Sequence, residues 1–362
     1  MPKNIVYFLG AGASKNFGYP LTDEIMPMIL ERLLRHDLFQ LGSKKTSHER
    51  QYETDLLGFL YKLYPGLKNV DMKNPDLKRQ IPNITDILSI VDHFCFYNLP
   101  PHPEIVDDRL IYFRNLLNRA VGELILEFDL KYFTTEEAAL FQQFIEPIRN
   151  QRVANKVTVI TTNYDLLIDY EFKSELAKNR VDYGINYRNV NTSELVYMDP
   201  KPLFHYYKLH GSFNWLRCDL CGHYYINRQG SIVGLAFTDE IGGFNTCICS
   251  SKLRLKSVLV APSLVRDIRD PNLLQIWKSS MEAIRTADQL VMVGYSLPAE
   301  DLGIRSIIMR GLNGRAKSKS LEVDVVQLGE NAKFNYLNLF GKGISYYSKG
   351  LKEYLGRKPG QL

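Results

Sequence analysis

The chain has 362 residues, of which 45% are apolar and 23% charged, and its formal net charge is +5. This length suggests two structural units or one large domain with insertions, and 12% aromatic residues argue against disorder. We expect no membrane span, since no apolar run reaches roughly 18–20 residues, and no disulfide scaffold, since only five cysteines are present. A nucleic-acid partner is not indicated, because the basic residues form no dense stripe.

The predicted elements alternate between buried strands and amphipathic helices. Short apolar runs rich in β-branched and aromatic residues are typical of parallel strands, and they occur at Ile5–Leu9, Val157–Thr161, Phe204–Leu209, Val258–Ala261, Leu290–Val293 and Val323–Leu328. Apolar residues every three or four positions predict helices at Glu24–Arg35, Tyr52–Leu63, Ile84–Phe96, Asp107–Phe128, Thr135–Arg149, Pro271–Ala287 and Glu300–Leu312. This alternation predicts an α/β fold with a Rossmann-like, doubly wound parallel sheet.

Two stretches are too long to be ordinary connections in such a sheet. About 150 residues separate the first two predicted strands, whereas a βαβ unit needs about 30. We expect residues 24–150 to form a helical insertion on one edge of the sheet. Residues 211–257, which hold four of the five cysteines, would form a second, smaller module. Residues 1–362 would then be one discontinuous domain with two insertions.

A glycine-containing loop, Gly10-Ala11-Gly12-Ala13-Ser14, follows the first predicted strand and precedes a predicted helix. Glycines let the backbone approach a phosphate closely, and a helix N-terminus offers amide groups and a favourable dipole to an anion. The order of strand, glycines and helix strengthens a motif that is weak by itself. An ordinary tight turn between strand and helix is the alternative.

Polar side chains follow the next two predicted strands, at the edge where ligands of open α/β sheets bind. Asn163 and Asp165 come just after the second strand, where each could contact a polar ligand or cap the following helix. His210 follows the third strand and is a candidate general base, because an imidazole titrates near neutral pH. A purely structural histidine is the alternative.

Two later strand ends carry further candidates. Gly294 and Ser296 would face the same crevice as the first loop, or they form an ordinary turn with Ser296 as a helix cap. Glu330 follows the last predicted strand and could reach an adenine or a ribose, or else it forms a turn with Asn331.

The remaining motif consists of two cysteine pairs. Cys218 and Cys221 form one pair, and Cys247 and Cys249 form another after a spacer of 25 residues. Two close pairs on separated hairpins are the pattern of a closed, structural four-thiolate zinc site. A redox pair and reduced thiols without metal are the alternatives. Cys95, between two phenylalanines on an apolar helical face, is expected to be a core residue.

In their order and placement, these motifs resemble the sirtuin family of NAD-consuming enzymes. The likeness runs from the first glycine loop and Gly18-Tyr-Pro20, through residues 162–165 and His210-Gly211, to the cysteine pairs and Gly294-Tyr-Ser296. It covers most of the chain but not the long helical insertion. The resemblance implies a sirtuin-type sheet that binds NAD, with a small zinc module packed over it.

The resemblance also implies a role for each candidate residue. Asn163 would hold the nicotinamide-side ribose or a water, Asp165 would bind the nicotinamide carboxamide, and His210 would be the base that acts on a ribose hydroxyl or on water. The four cysteines would hold structural zinc away from the chemistry. The residues that would line the rest of NAD are Gly10, Ala11, Gly12 and Ser14 at the pyrophosphate, and Gly294 and Ser296 at the adenosine half.

Several residues depart from the pattern of the family's protein deacylases. Their first loop continues with Pro-Asp-Phe-Arg, whereas Pro20 is followed here by Leu-Thr-Asp, and the glutamine before the asparagine is Thr162. The deacylase strand that pairs with the acyl-lysine peptide ends in Phe-Gly-Glu, and residues 258–263 take its place here. These features look closer to the bacterial sirtuin-like proteins of antiphage defence, which hydrolyse NAD.

The leading hypothesis is therefore an NAD+ glycohydrolase, a defence effector that releases ADP-ribose and nicotinamide. The alternatives are an NAD-dependent protein deacylase or ADP-ribosyltransferase, and a non-catalytic NAD or ADP-ribose sensor or assembly subunit. Without an export signal and with thiols arranged for metal, we expect a cytoplasmic location. Because a toxic hydrolase must be restrained, we also expect a homo-oligomer, with the helical insertion as its interface, or a partner ATPase or nuclease.

Overall fold

The computed structural model describes residues 3–40, 45–74, 80–105, 107–130, 133–151, 156–232, 246–260, 270–299, 301–316 and 320–356. Its strands, in chain order, are β1 (Asn4–Leu9), β2 (Lys156–Thr161), β3 (Val181–Asp182), β4 (Tyr187–Asn189), β5 (Leu195–Val196), β6 (Phe204–Lys208), β7 (Gly211–Arg217), β8 (Tyr224–Ile226), β9 (Thr246–Cys247), β10 (Ser250–Arg254), β11 (Lys256–Leu259), β12 (Gln289–Val293), β13 (Glu322–Val326) and β14 (Ile344–Tyr347). Its α-helices are α1 (Ala11–Lys15), α2 (Thr22–Arg35), α3 (Ser47–Leu63), α4 (Ile84–Tyr97), α5 (Asp107–Leu130), α6 (Thr135–Gln151), α7 (Leu167–Glu171), α8 (Lys173–Ala177), α9 (Pro271–Thr286), α10 (Leu302–Asn313), α11 (Lys333–Phe340) and α12 (Leu351–Leu355).

Seven parallel strands form the central sheet, in the order β14-β13-β12-β1-β2-β6-β3. Apart from the two-residue strand β3, the order corresponds to 3-2-1-4-5-6, the doubly wound arrangement in which ligands bind where the order reverses. β1 and β12 are buried along almost their whole length, as expected for parallel strands covered on both faces. The predicted α/β fold with a doubly wound parallel sheet is confirmed.

Five of the six predicted strands lie in this sheet, as β1, β2, β6, β12 and β13. The prediction for residues 258–261 is wrong about the sheet, because β11 pairs antiparallel with β7 in a second sheet, and Ala261 lies outside the described residues. A short apolar run does not distinguish these two settings. The edge strand β14 was missed because its residues are only partly buried and form no continuous apolar run.

The second sheet has the strand order β11-β7-β8-β4-β5 and adjoins the end of β6. The chain passes from β6 into β7 through a sharp turn at Gly211, whose φ is +82°. A Cβ atom there would lie 1.9 Å from the carbonyl oxygen of Val258, so the turn requires glycine. A separate hairpin, β9–β10, carries the second cysteine pair.

The helical block between β1 and β2 has its own packing. α5 packs against α2, α3 and α4, with the rings of Phe59 and Phe113 stacked at 4.2 Å. α6 packs on the sheet instead, where Phe144 lies 6.5 Å from Tyr7 between ring centroids. In the chain the block lies between β1 and β2, two adjacent central strands, and its expected place on one edge of the sheet stays a prediction. The boundaries 24–150 and 211–257 stay predictions.

Among the described helices, none combines the length and the apolarity that crossing a membrane requires.

Three glycines bring the loops after β1 and β12 into backbone contact. The amides of Gly10 and Gly12 donate to the carbonyl oxygens of Val293 and Gly294, each at 2.9 Å. A Cβ atom on Gly10 would lie 2.6 Å from the Gly294 oxygen, and one on Gly12 would lie 2.8 Å from the Gly294 Cα. Gly294 has a φ of +63°, and its Cβ atom would fall 2.0 Å from the Ala13 nitrogen. Only glycine fits at these positions.

We predict that Gly294→Ala is much more destabilising than Gly329→Ala. Both glycines have positive φ, but a Cβ atom at Gly329 meets nothing within 4 Å. Gly329→Ala should therefore lower the free energy of unfolding by about 1–2 kcal/mol from backbone strain alone, and Gly294→Ala by about 1–3 kcal/mol more from overpacking. Urea denaturation of both variants measures the difference, and equal losses would contradict the backbone contact.

Candidate active site

A cavity of about 500 Å³ opens where the carboxyl ends of β1, β2, β6 and β12 meet. It lies at the reversal of the strand order, where doubly wound sheets bind their ligands, and its size is that of an ordinary small-molecule site. The predicted site residues that line it are Ala11, Gly12, Ser14, Asn163, Asp165, His210, Gly294 and Ser296. The structure thus brings together candidates from four separate strand ends.

Asn163, Ser14 and Asp165 form one hydrogen-bonded group on the cavity wall. The Asn163 amide nitrogen donates to the carbonyl oxygen of Gly10 and to Ser14 Oγ, each at 3.0 Å, and Ser14 Oγ donates to Asp165 Oδ2 at 2.7 Å. Both amide hydrogens of Asn163 are thus directed to the protein, so its carbonyl oxygen is what this side chain offers to a ligand. Asp165 Oδ1 also accepts from the Leu167 amide at 3.2 Å, next to the start of α7, whose N-cap is Leu166.

A buried lysine, Lys208, donates hydrogen bonds to the backbone of Asp165 and to the side chain of Asp169. Lys208 is fully buried, and its ammonium group donates to the carbonyl oxygen of Asp165 at 2.8 Å and to Asp169 Oδ2 at 3.0 Å. Burial raises the pKa of the Asp165 carboxyl, and the positive charge of Lys208 opposes that rise. The ammonium group therefore fixes the backbone of the site and offsets the cost of placing two carboxylates close together.

His210 lies in the same cavity, opposite a carboxylate. Its side chain is 3% exposed, and its Nε2 atom is 4.0 Å from Oδ2 of Asp301, which also lines the cavity. The Tyr295 hydroxyl donates to that same carboxylate oxygen at 2.8 Å. Asp301 and Tyr295 were not predicted as site residues. The helix was expected to begin at Glu300, which puts Asp301 in its first turn, where acidic residues are common.

Two of the predicted ligand residues, Gly10 and Glu330, do not line the cavity. Gly10 lies behind the cavity lining, and the amides of Gly12 and Ala13 donate to carbonyl oxygens within the protein, so they are not directed at an anion. Glu330 also lies outside the lining, where it is exposed and pairs with Lys333 at 2.8 Å, so the turn alternative fits its position. Gln327 lines that end of the cavity instead.

The helical block supplies the opposite wall of the cavity. α2, α4 and α5 contribute an aliphatic surface consisting of Ile25, Ile84, Leu88, Val121 and Ile125. Tyr19, which precedes α2, lines the cavity and donates its hydroxyl to Asp129 Oδ1 of α5 at 2.7 Å. Burial, reinforced by the charge of Asp165, raises the pKa of Asp129 to about 7. The block is therefore part of the site and is electrostatically coupled to it.

The four predicted metal ligands form a single cluster. Their sulfur atoms all lie within 4.8 Å of one another, with 3.6 Å between Cys218 and Cys249 and 3.4 Å between Cys221 and Cys247. These separations are too long for disulfide bonds, and they fit a tetrahedral zinc ion, which requires about 3.8 Å between thiolates. The Tyr225 hydroxyl lies 3.1 Å from the Cys247 sulfur and supplies a polar contact outside the cluster. None of the four cysteines lines the cavity.

Comparisons with known proteins give matches only among solved structures. No protein-family model matches the chain, and no curated protein matches it. The similar structures include "Sir2 bound to acetylated peptide" (14% identity, TM-score 0.42, covering 97% of this chain and 90% of that chain) and "Sir2-p53 peptide-NAD+" (13% identity, TM-score 0.38, with the same coverage). The similar structures are thus Sir2 proteins. At this low similarity they assign no function, so the proposal below depends on the geometry of the cavity.

We predict that Asp129→Asn changes how stability depends on pH. A carboxyl whose pKa is raised on folding binds a proton more tightly in the folded state, so the wild-type protein loses stability as the pH rises from about 4 to about 7. Asparagine does not titrate, so the free energy of unfolding of the variant relative to wild type should rise by about 2 kcal/mol between pH 5 and pH 8.

Urea denaturation at both pH values measures this difference. The control is Glu330→Gln at an exposed carboxyl, for which the relative stability should change by less than about 0.5 kcal/mol. Parallel pH profiles for wild type and Asp129→Asn would contradict the coupling.

Proposed function

We propose that the protein is an NAD+ glycohydrolase, which cleaves the nicotinamide N-glycosidic bond with water and releases ADP-ribose and nicotinamide. The observation that carries the proposal is the grouping of Asn163, Ser14, Asp165 and His210 around one cavity at the reversal of a doubly wound sheet. Dinucleotides bind at such reversals, and these side chains supply the polar groups and the base that the cleavage needs.

The chemistry assigns a task to each side chain. As the bond from the ribose C1′ to the nicotinamide nitrogen breaks, its electron pair goes to the cationic ring, which leaves as a neutral molecule and needs no acid. The ribose develops positive charge, which the Asn163 carbonyl oxygen and the Asp165 carboxylate stabilise from fixed positions. A water oxygen then bonds to C1′, and His210 takes its proton and later releases it to solvent.

Water, not an acylated peptide, is the proposed acceptor because of the contacts at Val260. This residue belongs to the stretch 258–263 that takes the place of the deacylase peptide-pairing strand. Its amide donates to the His210 carbonyl oxygen at 2.8 Å, and its carbonyl oxygen accepts from the Tyr164 hydroxyl. Both main-chain groups are engaged inside the protein, which supports a site without a paired peptide.

Nicotinamide release in the absence of any peptide tests this proposal. Wild-type protein should release nicotinamide from NAD+, and Asn163→Ala and His210→Asn should each lower turnover by at least about 100-fold. His205→Asn is the matched control, because His205 pairs with Asp182 at 2.9 Å and does not line the cavity. It should retain turnover within about twofold of wild type.

Two results would contradict the proposal. Release only in the presence of an acylated peptide or an acceptor protein would favour a deacylase or an ADP-ribosyltransferase. Calorimetric binding of NAD+ or ADP-ribose without turnover would favour a sensor or an assembly subunit.

We also propose that the cysteine cluster binds one structural zinc ion that holds the β7–β8 and β9–β10 hairpins together. Purified protein should contain about one zinc per chain by elemental analysis, and Cys218→Ser should lose the zinc and lower the melting temperature. Cys95→Ser is the control and should keep its zinc, because Cys95 lies apart from the cluster. Clearly substoichiometric zinc in the wild type would contradict the zinc site and leave the NAD+ proposal intact.

A hydrolase that consumes NAD+ in a cell would have to be restrained until it is needed. We propose a cytoplasmic defence effector that is restrained through homo-oligomerisation on the helical block, or through a partner ATPase or nuclease. The aliphatic wall that the block contributes to the cavity supports this control, because a change in the packing of α4 or α5 would alter the cavity directly.

A further inference from the structure

A buried carboxylate, that of Asp301, faces His210 and has no role in the cleavage as described above. Asp301 is 1% exposed and His210 is 3% exposed, with 4.0 Å between Asp301 Oδ2 and His210 Nε2. Water screens a pair at such depth poorly, so a change of charge on either side chain affects the other more strongly than at a surface. Hydrogen bonds of catalytic groups are often longer in the free protein than in the substrate complex.

The main chain and the side chain of Asp301 have separate tasks. The residue occupies the N-cap position of α10, and its carbonyl oxygen accepts from the Arg305 amide at 3.0 Å. An N-cap aspartate commonly turns its carboxylate to the first amides of its helix. Here the carboxylate is directed to Tyr295 and towards His210. The backbone begins the helix while the side chain faces the cavity.

Tyr295 is itself held in place from the other side. Its carbonyl oxygen accepts from Gln327 Nε2 at 2.7 Å and from the Tyr336 hydroxyl, and its hydroxyl fixes Asp301. The loop then passes through Leu297 with a φ of +52°, a conformation that a leucine adopts only when its surroundings impose it. The carboxylate therefore accepts from a tyrosine whose own backbone is held by two hydrogen bonds, an arrangement that exists before any substrate binds.

We propose that Asp301, fixed by Tyr295, is a positioning residue that orients His210 as the base, an inference that rests on the proposed NAD+ cleavage. A carboxylate facing Nε2 favours the tautomer that carries its proton there and leaves Nδ1 to accept a proton from the attacking water. When Nδ1 takes that proton, the imidazolium ion forms beside a negative charge. The proton later leaves Nδ1 for solvent, which restores the neutral ring.

The chain offers a second histidine–aspartate pair as an internal control. His205 Nδ1, on β6, lies 2.9 Å from Asp182 Oδ2, on the neighbouring strand β3. Neither residue lines the cavity. Asp182→Asn therefore makes the same chemical change at a buried carboxylate that serves no proposed reaction.

Steady-state kinetics of three variants test the proposal. Asp301→Asn should lower kcat by about 100-fold, because a general base contributes about 10²–10⁴-fold, and leave KM within about threefold of wild type. Tyr295→Phe should lower kcat by about 10-fold, since the carboxylate remains but is less fixed. Asp182→Asn should retain kcat within about twofold. An unchanged kcat in Asp301→Asn overturns the proposal.

A spectroscopic measurement separates this inference from the proposed function. Nitrogen-15 spectra of histidine-labelled protein report the tautomer of each ring, and the His210 signals are the ones that His210→Asn removes. Wild type should carry the proton on Nε2 of His210, and Asp301→Asn should shift both ring nitrogens. Unchanged His210 signals in Asp301→Asn overturn the positioning role even if NAD+ is cleaved. A shift in a protein that does not cleave NAD+ supports the positioning role and contradicts the proposed function alone.

Discussion

The loops after β1 and β12 touch backbone to backbone, because Gly10, Gly12 and Gly294 place no side chains between them. This contact continues the pairing of β1 with β12 and holds the two loops together at the point where the strand order reverses. The loop after β1 places Ser14 against Asn163 and Asp165, and the loop after β12 leads through Tyr295 to Asp301. The glycines thus let the two loops pack closely, and the proposed polar contacts to a ligand come from side chains.

Buried charge at the site is matched by partners that come from other elements. Asp165 accepts from Ser14, Asp169 pairs with the buried Lys208, and Asp301 accepts from Tyr295. Each pairing lowers the cost of a carboxylate in a poorly solvated cavity and fixes its direction. A positively charged ribose would therefore meet oriented dipoles and charges with little reorganisation, which is the main source of electrostatic catalysis in the proposed cleavage.

Strands with continuous apolar runs could be predicted from the sequence, and so could the residues that follow them, because a parallel sheet places all its carboxyl ends at one edge. The helical wall of the cavity could not be predicted, because the positions of α4 and α5 depend on tertiary packing and not on the periodicity of their sequences. Asp301 and Asp129 were missed for a related reason. Asp301 resembles an ordinary acidic residue in the first turn of a helix, and Asp129 resembles an ordinary polar residue just after one. Only the fold places Asp301 beside the buried His210 and Asp129 near the buried Asp165.

A crystal structure of the His210→Asn protein soaked with NAD+ would show where the dinucleotide binds, because this variant should bind it without cleaving it. We expect intact NAD+ in the cavity, with the nicotinamide ribose beside Asn163 and Asp165 and the adenosine half towards Ser296 and Gln327. An empty cavity at saturating NAD+, or NAD+ bound elsewhere on the protein, would contradict this expectation.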